Sequence, residues 1–189
     1  MNIEIAIKKA CQELKNNQIG SALLDSELLL SKVIKKDRKF ILLNLDKELS
    51  QNEQDSFKKL ILKRSRGKPL AYLTGIKSFW KHDFKVSENV LIPRPDTEII
   101  IEQVLKIYKN KDYISFLEVG VGSGCIALSI LKEKKSFLGT GIDLSQDCIE
   151  ICRYNAKKLD IRNRIKLFKS DVDNLIFRKY DLIISNPPY

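Results

Sequence analysis

At 189 residues the chain has room for one large domain or two small ones, and 43% hydrophobic content with 31% charge marks a globular protein rather than a disordered or fibrous one. No stretch approaches the roughly 20 uncharged apolar residues of a membrane span. Met1, Asn2, Ile3 and Glu4 also lack the basic and then apolar start of a secretion signal, so a cytoplasmic protein with no membrane partner is expected. The net charge of +10 invites a nucleic-acid partner, because lysine and arginine release phosphate counterions. Here the lysines are scattered along the whole chain, so solvated helix faces account for them and direct nucleic-acid binding is not required. Cys11, Cys125, Cys148 and Cys152 form no CxxC pair and His82 is the one histidine, which leaves neither a zinc-site nor a disulfide spacing. Four reduced cysteines and no metal are expected.

Residues 1–66 carry helical periods. Ile3, Ile7, Ala10, Cys11 and Leu14 recur at spacings of three and four, Ala22 to Ile34 is rich in leucine, and Phe40 to Leu45 forms a short apolar group. Ser50 precedes Glu53 by the capping-box interval and opens a helix that closes near Gly67. These signals predict a helical bundle. From Gly67 to Pro95 the pattern turns to Pro69, Gly75, Phe79, Trp80, Phe84, Val86 and Val90 to Ile92, which suits a short hairpin and an extended linker. Pro93 and Pro95 forbid a continuous helix through Arg94, and Asp96 or Thr97 is placed to cap the next one.

Beyond Lys111 strands and helices alternate. Ile114 to Val119, Phe137 to Ile142, Ile165 to Phe168 and Leu182 to Ile184 read as strands, and Ile126 to Leu131 and Gln146 to Leu159 read as helices. The fold class is therefore α/β, with a helical bundle over 1–66, a hairpin linker over 67–95 and a Rossmann-like parallel sheet over 96–189. In such sheets ligands sit at the carboxyl ends of the strands.

Glu118, Gly120, Gly122, Ser123 and Gly124 form E-V-G-V-G-S-G at the first of those ends. Glycines there permit a sharp turn and a close approach of ligand to backbone. The dinucleotide motif G-x-G-x-x-G needs a third glycine where this chain has Cys125, so a nicotinamide cofactor does not fit. Asp143 follows Gly124 by 19 residues at the end of the next strand, where a carboxylate accepts hydrogen bonds from both hydroxyls of a ribose or caps the following helix. Asp171, after the third strand, is placed either to contact an adenine amino group or to cap a turn.

Asn186, Pro187, Pro188 and Tyr189 end the fourth strand. The prolines stiffen the backbone. The Asn186 side-chain carbonyl and the Pro187 backbone carbonyl together suit the two hydrogens of a planar NH₂ group, on whose π-face Tyr189 can stack.

The glycine loop, preceded by an acidic residue, resembles the S-adenosylmethionine loop of class I methyltransferases, and N-P-P-Y resembles the acceptor motif of those acting on planar nitrogen. G-K-P-L-A-Y-L-T-G and V-L-I-P-R-P-D-T-E, between Gly67 and Glu98, resemble the linker of release factor glutamine methyltransferases, and D-S-E-L-L-L over Asp25 to Leu30 fits their helical domain. The resemblance covers essentially the whole chain. It implies S-adenosyl-L-methionine as cofactor, held by Glu118, Gly120, Gly122, Gly124, Asp143, Asp171 and Asn186. It implies catalytic roles for Asn186, Pro187 and Tyr189, with Pro188 beside them on the substrate. As substrate and partner it implies a class I peptide chain release factor, methylated on the glutamine of its Gly-Gly-Gln motif and docked by the helical domain. A methyltransferase of DNA or RNA amino groups, and a noncatalytic fragment that only docks its partner, are the alternatives. Class I sheets run in the order 3-2-1-4-5-7-6. This chain supplies strands 1 to 4, which leads us to expect a C-terminally truncated chain of low stability with an exposed edge at Asp181 to Ser185.

Overall fold

The computed structural model of the protein describes residues 1–174 and 179–187, and the chain divides into two compact units, Met1–Gly75 and Ile76–Tyr189. No helix among the described residues is long and apolar enough to cross a membrane.

The first unit is helical, with α1 (Ile3–Asn16), α2 (Ala22–Ile34), α3 (Arg38–Leu43), α4 (Gln51–Ser65) and α5 (Leu70–Thr74). Its core is the stripe the periodicity picks out: Ile3, Ile7 and Leu14 meet Leu29, Leu30, Ile41, Phe57 and Ile61. Short polar residues fix the helix starts. Asn2 caps α1 by accepting from the Ile5 N–H, and Ser50 with Glu53 forms the expected capping box on α4. Leu70–Thr74 is a correction to the expected hairpin and linker. Pro69 presets the start of a single helical turn, buried Leu73 anchors it, and Gly75 ends it in the left-handed region at φ 79°. One turn is too short to show a helical period in the sequence, and the expected boundary at Gly67 gives way to one at Gly75.

The charged residues of D-S-E-L-L-L serve this unit internally. Asp25, 2% exposed, pairs with Arg64 of α4 at 2.6 Å, while Glu27 takes Arg38 of α3 at 2.6 Å. Removing one partner of a buried pair strands the other charge, so Asp25→Ala should lower unfolding free energy by about 3 kcal/mol in urea melts. Loss under 1 kcal/mol would show that water already reaches Arg64.

In the second unit a hairpin, β1 (Ile76–Phe79) and β2 (His82–Lys85), turns through Trp80 and Lys81, with Phe79 opposite His82. There follow a 3-10 turn over Pro95–Thr97, α6 (Glu98–Ile107), β3 (Ser115–Val119), α7 (Cys125–Glu133), β4 (Leu138–Asp143), α8 (Gln146–Lys158), β5 (Ile165–Lys169) and β6 (Leu182–Ser185). The last four strands form a parallel sheet in the order β5-β4-β3-β6, the 3-2-1-4 arrangement expected, with Val119 level with Ser185 on one side and Ile142 on the other. Phe116, Ile126, Leu128, Ile130, Phe137 and Ile149 fill the core around it. Among the described residues β6 is an edge strand, and Ile183 on it is 64% exposed. The Asp181 carboxylate ties the start of β6 to the Ser115 N–H of β3 at 2.7 Å.

Candidate active site at the carboxyl ends of the parallel strands

The register of the sheet brings the sequence motifs into one row. Because Val119, Ile142 and Ser185 stand level, the glycine loop, Asp143 and Asn186 leave adjacent strands about 4.8 Å apart. Asp171 follows β5 at the far end of the row.

Backbone bonds hold the glycine loop: Gly120 and Val121 both donate to the Ile142 carbonyl at 2.9 Å, and Gly124 donates to the Val121 carbonyl at 2.8 Å. Gly120, Gly122 and Gly124 all have positive φ (73°, 53° and 79°), but for two different surroundings. A Cβ on Gly120 would meet nothing within 4 Å, so the loop presents bare backbone to open space. A Cβ on Gly124 would lie 2.5 Å from Cys152 Sγ and 2.9 Å from Leu128 Cδ1, because that glycine packs down on α7 and α8.

Gly124 is also the N-cap position of α7 and brings no side chain to the task. Glu118 does so from the preceding strand, its Oε2 accepting from the Ala127 N–H at 2.8 Å. The carboxyl is 2% exposed, and burial pushes it up to about 8 despite that bond, with the nearby Asp143 charge adding to the rise. Its folded value thus exceeds the unfolded one, and the stability it contributes is greatest below the unfolded value and is lost as pH rises toward 8. Glu118→Gln, which keeps an acceptor for Ala127, should therefore gain on the native protein steadily from about pH 4.5 to pH 8 in parallel melts. A difference independent of pH would show that Glu118 is ionised in the fold.

Asp143 is half-buried. Its Oδ2 accepts from the Gly122 N–H and its Oδ1 from the Ser145 N–H, each at 2.9 Å. The cap of α8 is Ser145, which accepts from Cys148 N–H, so Asp143 is not needed there and joins the glycine loop instead. Each carboxylate oxygen keeps a further lone pair for a ligand hydroxyl. Asp171 is exposed and accepts from the Asp173 N–H at 3.4 Å, at the start of a 3-10 turn over Val172–Asn174.

Asn186 is half-buried, and its Nδ2 donates to Thr97 Oγ1 at 3.2 Å. Neither Asp96 nor Thr97 caps α6 through its side chain, contrary to expectation. Pro95 leads residues 95–97 into a 3-10 turn that runs on into the helix, so Thr97 has helical dihedrals rather than the extended ones a cap requires. Its hydroxyl is left to orient Asn186, whose Oδ1 then remains as an acceptor. Glu98, the next residue, accepts from the Trp80 N–H at 2.6 Å and steadies a hairpin turn in which Trp80 has φ 54°. Asn186 and Pro187 line a cleft of about 670 Å³ together with Leu91, Arg94, Asp96, Thr97, Ile99 and Ile100. Linker and acceptor motif thus share one cavity. Pro188 and Tyr189 lie outside the described residues.

Cys125, Cys148 and Cys152 are free and buried. Burial pushes the Cys125 thiol up to about 12 and raises the other two, so all three are packing groups rather than nucleophiles.

Residues 6–75 match the PrmC N-terminal domain and residues 96–189 the methyltransferase small domain. The chain is 40% identical over 190 residues to the release factor glutamine methyltransferase of Buchnera aphidicola subsp. Acyrthosiphon pisum, covering 100% of this chain and 67% of that protein. It is 38% identical over 189 residues to that of Buchnera aphidicola subsp. Schizaphis graminum, again 100% of this chain and 67% of that one. A bifunctional methyltransferase of Rickettsia felis is 36% identical over 216 residues, 100% of this chain and 41% of its own length. The chain therefore spans about two fifths to two thirds of these relatives. It belongs to the release factor glutamine methyltransferase family.

Proposed function

We propose that this chain carries the donor and acceptor sites of an enzyme that transfers a methyl group from S-adenosyl-L-methionine to the side-chain amide nitrogen of the Gly-Gly-Gln glutamine in a class I release factor. The observation that carries the reading is the shared cleft, in which Asn186 and Pro187 stand with the linker residues Arg94, Asp96 and Thr97, one strand from the glycine loop.

The residues present suit that donor. Bare, positive-φ backbone at Gly120 leaves room for close approach of a ligand, and Asp143, held by Gly122 and Ser145, has lone pairs to spare for the ribose hydroxyls. Glu118 acts one step behind, fixing the start of α7 and hence the loop. Asp171, exposed at the end of β5, is available to an adenine amino group.

S-adenosyl-L-methionine supplies an electrophilic methyl on a sulfonium sulfur. An amide nitrogen attacks it poorly because its lone pair is delocalised into the carbonyl. Asn186 Oδ1 and the Pro187 carbonyl would each accept one amide hydrogen, aim the nitrogen and strengthen as positive charge develops on it. Transfer would leave S-adenosylhomocysteine and an amide nitrogen made acidic by its new methyl group, which, still held by Asn186 Oδ1 and the Pro187 carbonyl, would lose a proton to water. Tyr189 and Pro188 would complete the aromatic and rigid walls on the acceptor side.

The donor half of this reading is tested by calorimetric titration with S-adenosylhomocysteine. The native chain should bind it at one site, and Asp143→Ala should bind about tenfold or more weakly. Equal affinity would remove Asp143 from the site.

A further inference from the structure

We infer that Asn155, in the last turn of the second unit's α8, is a positioning residue for the methyl donor: it sets the glycine loop against the hairpin linker. The inference rests on the donor reading just given. Asn155 is 1% exposed, and its amide is spent on three backbone bonds. Oδ1 accepts from the Lys85 N–H at 2.8 Å, while Nδ2 donates to the Lys85 carbonyl at 3.0 Å and to the Ser123 carbonyl at 2.9 Å.

To Lys85, the last residue of β2, the side chain offers the donor and acceptor that a neighbouring strand would offer. To the loop it offers a donor for the carbonyl of Ser123, which stands between the positive-φ glycines Gly122 and Gly124. No other small side chain fits these three partners. Aspartate keeps the acceptor for Lys85 N–H but sets a second oxygen against two carbonyls, and leucine leaves the buried Ser123 carbonyl and the part-buried Lys85 groups without this partner. The contact is reinforced on both sides along α8, since Lys158 Nζ donates to the Asp83 carbonyl at 3.0 Å and Asn89 Nδ2 to Asp147 at 2.7 Å. These flanking bonds are exposed, whereas the buried amide of Asn155 bonds both to Lys85 of the hairpin and to Ser123 of the loop.

Two readouts separate this role from simple stabilisation. S-adenosylhomocysteine affinity, measured by calorimetry well below the melting temperature, should fall about tenfold in Asn155→Ala and in Asn155→Asp. It should stay at the native value in Ile161→Ala, a core truncation in the same unit chosen to match the loss in melting temperature. Amide hydrogen exchange over residues 120–124 should accelerate in the two Asn155 variants beyond any global change and not in Ile161→Ala. If alanine prevents folding, Asn155→Asp, which keeps size and the Lys85 N–H bond, carries the same expectation. Native binding with unchanged affinity in the Asn155 variants would overturn the inference and leave the donor reading standing. A native chain that binds no S-adenosylhomocysteine would overturn both.

Discussion

Replacing Asn186 by alanine should lower turnover by about 10²- to 10³-fold, the usual effect of deleting one preorganised hydrogen-bonding group aimed at developing charge. The donor's dissociation constant should barely move, because the glycine loop and Asp143 are held by bonds in which Asn186 takes no part. Thr97→Val is a milder version of the same experiment. It removes the hydroxyl that accepts from Asn186 Nδ2 and leaves the amide free to rotate, so turnover should fall less than in Asn186→Ala while donor binding again holds. Single-turnover rates at saturating donor, beside calorimetric affinities, measure both quantities. A variant in which rate and donor affinity fall together would place Asn186 on the donor rather than the acceptor.

The second large effect lies beneath the glycine loop. Gly124→Ala combines a left-handed backbone, φ 79°, with a Cβ 2.5 Å from Cys152 Sγ, so neither the backbone nor the neighbour can absorb the change alone. Strain and overpacking together should cost about 3 kcal/mol in denaturant melts. Adding Cys152→Ala should return part of it by opening the space the sulfur fills. Gly120→Ala is the informative contrast. With open space around its Cβ it should lose only about 1 kcal/mol of stability but most of its donor affinity, because the methyl projects where the ligand must approach. Equal stability of Gly124→Ala and the native chain would mean that α7 and α8 shift easily, and that the loop is not fixed from below.

Much of the architecture is legible in the sequence because it rests on local rules. Apolar spacing gives the helices, short apolar runs alternating with them give the parallel strands, and the glycine loop announces the first strand end. The single turn over Leu70–Thr74 escapes because it is shorter than a period. The parts of the site that escape are those made by distant residues. Lys85 and Asn155 are 70 positions apart and Thr97 and Asn186 are 89 apart, so no window on the chain holds both partners. Glu118 is visible as the acidic residue before the loop, but its task of capping α7 from a strand follows only from the turn that folds it back over Ala127. Asp25 and Glu27 are legible only as part of D-S-E-L-L-L, because their partners Arg64 and Arg38 lie 39 and 11 positions away.

The central claim is that the Asn186–Pro187 end of the cleft receives a glutamine amide. It is tested most directly by transfer of labelled methyl from S-adenosyl-L-methionine to an intact class I release factor, with a copy whose Gly-Gly-Gln glutamine is replaced by alanine and with duplex DNA alongside. Label on the intact factor alone is the expected result. Label on the alanine copy, or on DNA and not on protein, would contradict it.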